Sequence, residues 1–290
     1  MRVKGHPLVW HTLAPDWLLG KPLAEVADRV AARVRREVAE LAGLVDTWDA
    51  VNEAVIAPVF DNGENAITPL AASLGGAGLI EWAAEAARAV SPSVRLHLND
   101  FDLSSRYEDL VEEVLARGVV VDGIGLQTHM HQGYPGEDRA LEAADRFARF
   151  GIPLHFTETT LLSGDLMPPE IVDLNDYVRD DWPSTPEGEE RQADELQRHY
   201  RSLFGHPAVA SITYWGLADR GAWLNAPAGL VRLDGTPKPG YTVLRDLIRG
   251  EWWTPPTTLR TDAAGRVTVS GVKGRYRLTA GDHEQEFDLG

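Results

Sequence analysis

Between residues 22 and 41 the apolar positions Leu23, Val26, Val30, Val34, Val38 and Leu41 recur every three or four residues, with arginines and glutamates between them. That period is helical and gives one apolar stripe for a core. Pro22 suits the first turn and Gly43 the stop. The next run changes period: Val45, Trp48, Ala50 and Val51 are strand formers, and the segment ends in Asn52-Glu53. It reads as a buried parallel strand. The alternation then repeats down the chain. Further strands are expected over 7–11, 94–100, 119–126, 152–158 and 209–215, and helices over 79–90, 137–150, 187–204 and 241–248. Ser105 with Glu108 offers a capping box for one more helix through Leu110, Val111, Val114 and Leu115 to Gly118. Segments 54–78 and 217–233, rich in Gly, Pro, Asn and small residues, are expected as rim loops, the first with room for helical turns.

Strand and helix alternate six times over, which predicts an α/β fold around a parallel sheet. The expected architecture is of the (β/α)8 TIM-barrel type, present as six βα units across residues 1–250. Polar residues gather where strands end: Asn52-Glu53, Asn99-Asp100, Gln127-Thr128-His129 and Glu158. In such barrels catalytic groups collect at the C-terminal rim, so residues distant in sequence can face each other across the mouth. From 251 to 290 the texture differs. Trp252-Trp253-Thr254-Pro255-Pro256 is a linker, and 258–289 alternates polar with apolar residues between the turn signals Ala264-Gly265, Val272-Lys273-Gly274 and Ala280-Gly281-Asp282. This predicts a small antiparallel β appendage, too short for a large core of its own and so expected to pack on the barrel.

A formal charge of −16 disfavours nucleic acid and anionic membrane surfaces and suits a neutral substrate such as a polysaccharide. Without cysteine there is no disulfide framework, thiolate metal site or thiol nucleophile. No stretch approaches the roughly 18 apolar residues of a membrane span, and Met1-Arg2-Val3-Lys4-Gly5-His6 leads into a strand without a signal-peptide core. Localisation is therefore not written in this stretch.

Two glutamates stand at strand ends after similar approaches, Glu53 and Glu158. A pair of carboxyls about 5 to 5.5 Å apart suits retaining glycoside hydrolysis, one as acid and base, the other as nucleophile. Each alone is more commonly a capping or salt-bridged loop residue. His129-Met130-His131 is a His-x-His pair of the sort that binds zinc, but no third ligand stands at another strand end, and neither a metal nor a cofactor is called for.

Four motifs decide the weighting: Gly5-His6-Pro7-Leu8-Val9-Trp10-His11, Trp48-Asp49-Ala50-Val51-Asn52-Glu53, Gly123-Ile124-Gly125-Leu126-Gln127-Thr128-His129 and Thr157-Glu158. In this order the chain resembles glycoside hydrolase family 10, the retaining endo-1,4-β-xylanases, over roughly residues 1–249. The resemblance implies Glu53 as general acid/base and Glu158 as nucleophile. It implies Asn52 on the sugar 2-hydroxyl, His6, Trp10, Gln127 and His129 as sugar contacts, with His129 also bonding the nucleophile, and Trp215 and Trp223 stacking on pyranose rings. Asn99-Asp100-Phe101-Asp102 is expected to support the site, and Asp219 fits the family pattern or braces its loop. His11, His97 and His155 read as structural, His131 as exposed loop, and Trp82, Trp182, Trp252 and Trp253 as packing residues.

Three departures accompany the match. The family carries two further strands and helices ahead of Gly5, so two open sheet edges are expected here, together with an N-terminal or partner segment that completes the barrel. Thr159-Thr160-Leu161 follows Glu158 where the family has Leu-Asp, and the loop over 163–186 is long and distinctive. The expected substrate is xylan or a related β-glycan, and the resemblance implies secretion for a full-length protein. The alternative is a catalytically impaired carbohydrate-binding remnant.

Overall fold

The computed structural model describes residues 3–12 and 14–289; Met1 and Arg2, part of the start read above as free of a signal core, lie outside them. Six parallel strands curl into an open half-barrel: β1 (Lys4–Gly5), β2 (Thr47–Asn52), β3 (Arg95–Asp100), β4 (Gly123–Leu126), β6 (Leu154–Leu161) and β7 (Val209–Tyr214). A two-residue strand, β5 (His129–Met130), extends the rim by pairing with Thr160 and Leu161 of β6. Helices α1 (Leu23–Glu40), α2 (Ile67–Leu74), α3 (Gly76–Arg88), α4 (Ser105–Ala116), α5 (Glu137–Ala148), α6 (Pro186–Phe204) and α7 (Pro239–Asp246) fill the connections.

Strand alternation sorts the two faces of the sheet. Leu96 and Leu98, Ile124 and Leu126, and Leu154 and Phe156 join one buried apolar cluster with Val26, Val30, Val34 and Val38 of α1. Their neighbours His97, Asn99, Gly123, Gly125, His155 and Thr157 therefore line the concave face. That face is polar. At its foot His97 and His155 stack with ring centroids 4.3 Å apart, both held neutral by burial, which pulls their pKa values down to about 3 and about 4. β1 and β7 each pair on one side alone among the described residues, so the two open edges expected from the sequence are present.

Several boundaries differ from the sequence reading. The first strand lies at Lys4–Gly5, and segment 7–11 contributes a single bridge, Val9 to Val51. Pro7 lacks the N–H that a continuous ladder needs there. The fourth strand begins at Gly123, four residues later than expected, and β6 runs three residues past Glu158. Ser104, not Ser105, caps α4, accepting from the Arg106 N–H, while Glu108 pairs with Arg146 and Arg149 instead of closing a capping box. The loop over 54–78 contains α2 and the start of α3.

The appendage is a single hairpin, β8 (Gly274–Ala280) against β9 (His283–Leu289), in place of several strands from 258 onward. The expected packing on the barrel is not seen: both strands are largely exposed, with Leu278 at 43%. Tyr276 instead stacks on Phe287 and its hydroxyl reaches Thr254. Trp252 packs on Phe204 with ring centroids 3.9 Å apart, but Trp253, expected as a packing residue, is 50% exposed.

Candidate active site

Glu53 follows β2 directly and has a left-handed backbone, φ 58°. A non-glycine residue in that region is strained, and strain of this kind collects at functional sites. The conformation is fixed on both sides: the Glu53 N–H donates to the Asn99 carbonyl at 2.8 Å, and the Glu53 carbonyl accepts from the Ala57 N–H at 3.1 Å. Its side chain is held by three donors. Trp10 Nε1 donates to Oε2 at 2.9 Å, while Asn52 Nδ2 and Gln127 Nε2 donate to Oε1 at 3.0 and 3.4 Å.

Glu158 lies on β6 and is 4% exposed. Asn99 Nδ2 donates to its Oε1 at 2.8 Å, and His129 Nε2 lies 3.1 Å from its Oε2. A carboxylate only accepts, so His129 carries its proton on Nε2, and Nδ1 accepts from the Thr160 hydroxyl at 3.1 Å. With both nitrogens engaged, the His-x-His zinc reading loses its first ligand. His131, read above as exposed loop, is 1% exposed, and burial lowers its pKa to about 3.

Asn99 and Asn52 join the two glutamates. Asn99 Nδ2 also donates to Asn52 Oδ1 at 2.7 Å, Asn99 Oδ1 accepts from the Thr157 hydroxyl at 2.5 Å, and Gln127 Nε2 donates to Asn52 Oδ1 at 3.1 Å. Glycine on the neighbouring strand makes the room, because a Cβ at Gly125 would collide with Asn99 Oδ1. The electrostatics follow from this enclosure. Burial raises the Glu53 pKa, the Trp10 hydrogen bond opposes the rise, and the negative charge of Glu158 adds to it. At the end of β3, Asp100 is fully buried and accepts from the backbone N–H groups of Val55 and Asp102, pinning the chain just past Glu53. Burial pushes its pKa up to about 7.

Aromatic rings ring the mouth. His6 lies 5.5 Å from Trp215, and His129 5.2 Å from Trp223, centroid to centroid, with both tryptophans 37% exposed. His6 Nδ1 is 2.9 Å from Asp49 Oδ2, which also takes Lys4. A recess of about 330 Å³ opens beside them, lined by His131, Thr160, Trp215, Trp223 and small residues such as Gly216 and Ala222. All nine residues singled out from the sequence are thus gathered at one rim. His11, read as structural, brings Nε2 to 3.5 Å from Glu53 Oε2, and Asn99, read as support for the site, bonds Glu158 directly. Asp219 braces its loop by accepting from the Gly229 N–H and from Lys238.

A model of glycosyl hydrolase family 10 matches residues 1–247. The chain belongs to glycosyl hydrolase family 10. Among its relatives, endo-1,4-beta-xylanase C of Paenibacillus barcinonensis is 28% identical, aligning 97% of this chain with 28% of its own length. Endo-1,4-beta-xylanase A of Xylanibacter ruminicola is 29% identical over 83% of this chain and 67% of its own. The chain therefore spans less than a third of the first relative and about two thirds of the second. Among solved structures, a thermostable mutant xylanase from Cellvibrio japonicus superposes with a TM-score of 0.68 at 26% identity, covering 86% of this chain and 78% of that one. Xylanase 10B from Thermotoga petrophila, solved with xylobiose, gives 0.66 at 25% identity, with 87% and 75% covered.

Proposed function

We propose that the chain hydrolyses β-1,4-glycosidic bonds in xylan or a related plant β-glycan with retention of configuration, using Glu53 as acid/base and Glu158 as nucleophile. One observation carries the reading: the two glutamates sit on facing strands of one rim and share a hydrogen-bonded bridge through Asn52 and Asn99. Their environments differ in the manner the chemistry needs. Burial raises the Glu53 pKa and so favours its protonated form, the form that donates to the leaving glycosidic oxygen. Glu158, held by Asn99 and His129, attacks the anomeric carbon, and the glycosyl ester is then cleaved by water that gives its proton to Glu53.

Family membership and the xylanase relatives support the substrate class, and the exposed faces of Trp215 and Trp223 suit stacking on sugar rings. His6, Trp10 and Gln127 stand at the same mouth, and Asn52 Nδ2 retains a second hydrogen for a sugar hydroxyl. A second reading, a carbohydrate-binding remnant of reduced activity, is favoured by one feature. Ser211 and Thr213 of β7, on the concave face, are exposed along an open edge where a closed barrel would cover them.

Turnover separates the two. The hydrolytic reading expects release of aryl from an aryl β-xylobioside, the β-anomer as first product by NMR, and loss of at least about a thousandfold in rate in Glu158→Ala. Binding of xylo-oligosaccharides without any cleavage would leave the remnant reading standing.

A further inference from the structure

The segment between β6 and α6 does more than connect them. It leaves the strand that carries Glu158 and is anchored by Leu162, Met167 and Trp182, which pack with Ala226 and Ala228 of the tryptophan loop. It then turns along the rim. The Met167 N–H donates to the His131 carbonyl at 2.9 Å, and Gln132 Nε2 donates to the carbonyls of Pro168 and Ile171 at 2.9 and 2.8 Å. Beyond these ties Asp173 Oδ2 accepts from Asn62 Nδ2 at 3.0 Å. Asn62 belongs to the loop that follows Glu53. The segment is therefore a strap running from the wall that holds one glutamate to the wall that holds the other.

A glycan cleaved between an acid and a nucleophile must thread between them, so its axis crosses the line joining Glu53 and Glu158. One way out leads over β1 and β7, past His6, Trp10 and Trp215. The other leads over the ends of β3 and β4, past Asn99, Phe101 and Gln127. A connection from wall to wall has to cross one of these paths. Gln132, which follows β5 on the far side of β4, fixes which one: the strap lies over the β3 and β4 end. In its middle Val172 and Val178 are 98% and 83% exposed, while Ile171, Leu174 and Tyr177 pack against the Leu162, Met167 and Trp182 cluster, so the polar ties to Asn62 and Gln132 fix the position of a segment whose apolar anchor lies on the β6 side.

We propose that this strap closes the β3–β4 end of the cleft, and that Asn62, Gln132 and Asp173 limit how many sugar units are accepted on that side. Chain ends and short oligosaccharides fit beneath it, and the middle of a long glycan does not. The inference rests on the hydrolytic reading above.

The test compares the whole chain with an Asn62→Ala/Gln132→Ala variant on two substrates, an aryl β-xylobioside and soluble polymeric xylan. Untying the strap is expected to leave kcat/KM on the aryl glycoside within about twofold while raising it on xylan by about fivefold or more, with products shifting from short ends to internal fragments. If the double variant does not fold, Asn62→Ala alone, which loses one exposed hydrogen bond, serves the same comparison. Equal changes on both substrates, or none on xylan while the aryl glycoside is turned over, overturn the strap. No turnover of either substrate by the unaltered chain overturns the hydrolytic reading and this inference with it.

Discussion

Asn99 donates from its side chain to the side chain of Asn52 at 2.7 Å, and both residues are 1% exposed. The same Asn99 nitrogen bonds Glu158, and the Asn52 nitrogen bonds Glu53, so one buried contact sets the position of both carboxyls relative to each other. Neither asparagine can move without dragging a glutamate with it.

Asn99→Ala removes the shared donor and leaves Asn52 Oδ1, Glu158 Oε1 and the Thr157 hydroxyl each short of a partner. Hydrogen bonds to charged groups contribute about 1.5 to 3 kcal/mol, so kcat/KM on an aryl β-xylobioside is expected to fall by about ten- to a hundredfold. Thr157→Val, which takes away only the donor to Asn99, should cost about tenfold or less. An Asn99→Ala enzyme as active as the original would show that the bridge does not position the glutamates.

Trp10 tunes Glu53, the acid of the proposed reaction. Its indole N–H favours the ionised form of Glu53 against the burial that favours the neutral one. Removing that donor in Trp10→Phe takes away a lowering influence, so the Glu53 pKa rises further. The acid must be protonated to act, and the alkaline limb of the kcat/KM profile is therefore expected to move to higher pH in the variant. A limb that stays in place or moves down would disconnect Trp10 from the acid's titration.

Period and spacing carried much of this far in advance. The strand end at Glu53, the long stripe of α1 and the six-fold alternation are local signals, visible because the period changes at each boundary, whereas the strand that carries Glu158 continues to Leu161. The two open edges were legible too. What the sequence hid was contact across strands. Asn99 shares a face with His97 by alternation, but its reach to Glu158 depends on the bare Gly125 between them, and a glycine in a strand does not announce which neighbour it admits. His11 read as structural because a histidine beside a tryptophan has no signature, yet the turn after β1 brings both to Glu53. His131 reads as exposed from its loop position, because the strap and tryptophan loop that bury it come from distant parts of the chain.

The φ of 58° at Glu53 makes a prediction about stability. A side chain with a Cβ costs roughly 1 to 2 kcal/mol in the left-handed region, and glycine escapes most of that cost. Glu53→Gly is therefore expected to be about 1 kcal/mol more stable than Glu53→Ala, although both lose the proposed acid. Denaturant unfolding of the two variants measures it directly. Equal midpoints, or a more stable alanine variant, would mean the backbone relaxes once the side chain's bonds are gone.

Lys238 supplies the last test, because its ammonium is fully buried and, among the described residues, pairs with one carboxylate. Nζ lies 2.7 Å from Asp219 Oδ1 and 2.7 Å from Ser163 Oγ, and Asp219 Oδ1 also accepts from the Gly229 N–H at 2.9 Å. These bonds tie the end of β6 to the loop that presents Trp215 and Trp223. Burial lowers the Lys238 pKa, and Asp219 resists the shift. Asp219→Ala leaves a buried cation unpaired, which costs about 3 to 5 kcal/mol at neutral pH. The sign of its pH dependence follows from linkage. Without its partner Lys238 has a folded-state pKa still further below the unfolded value, so stability is present above the unfolded pKa and lost as pH falls through the folded one. The deficit of Asp219→Ala should accordingly shrink when melting is measured at pH near 10 instead of near 7. Replacing both partners, Asp219→Leu with Lys238→Met, should recover most of the stability. The loosened tryptophan loop should raise KM in Asp219→Ala more than it lowers kcat. A deficit that is the same at both pH values would show that the lost carboxylate, and not the stranded charge, is what the fold misses.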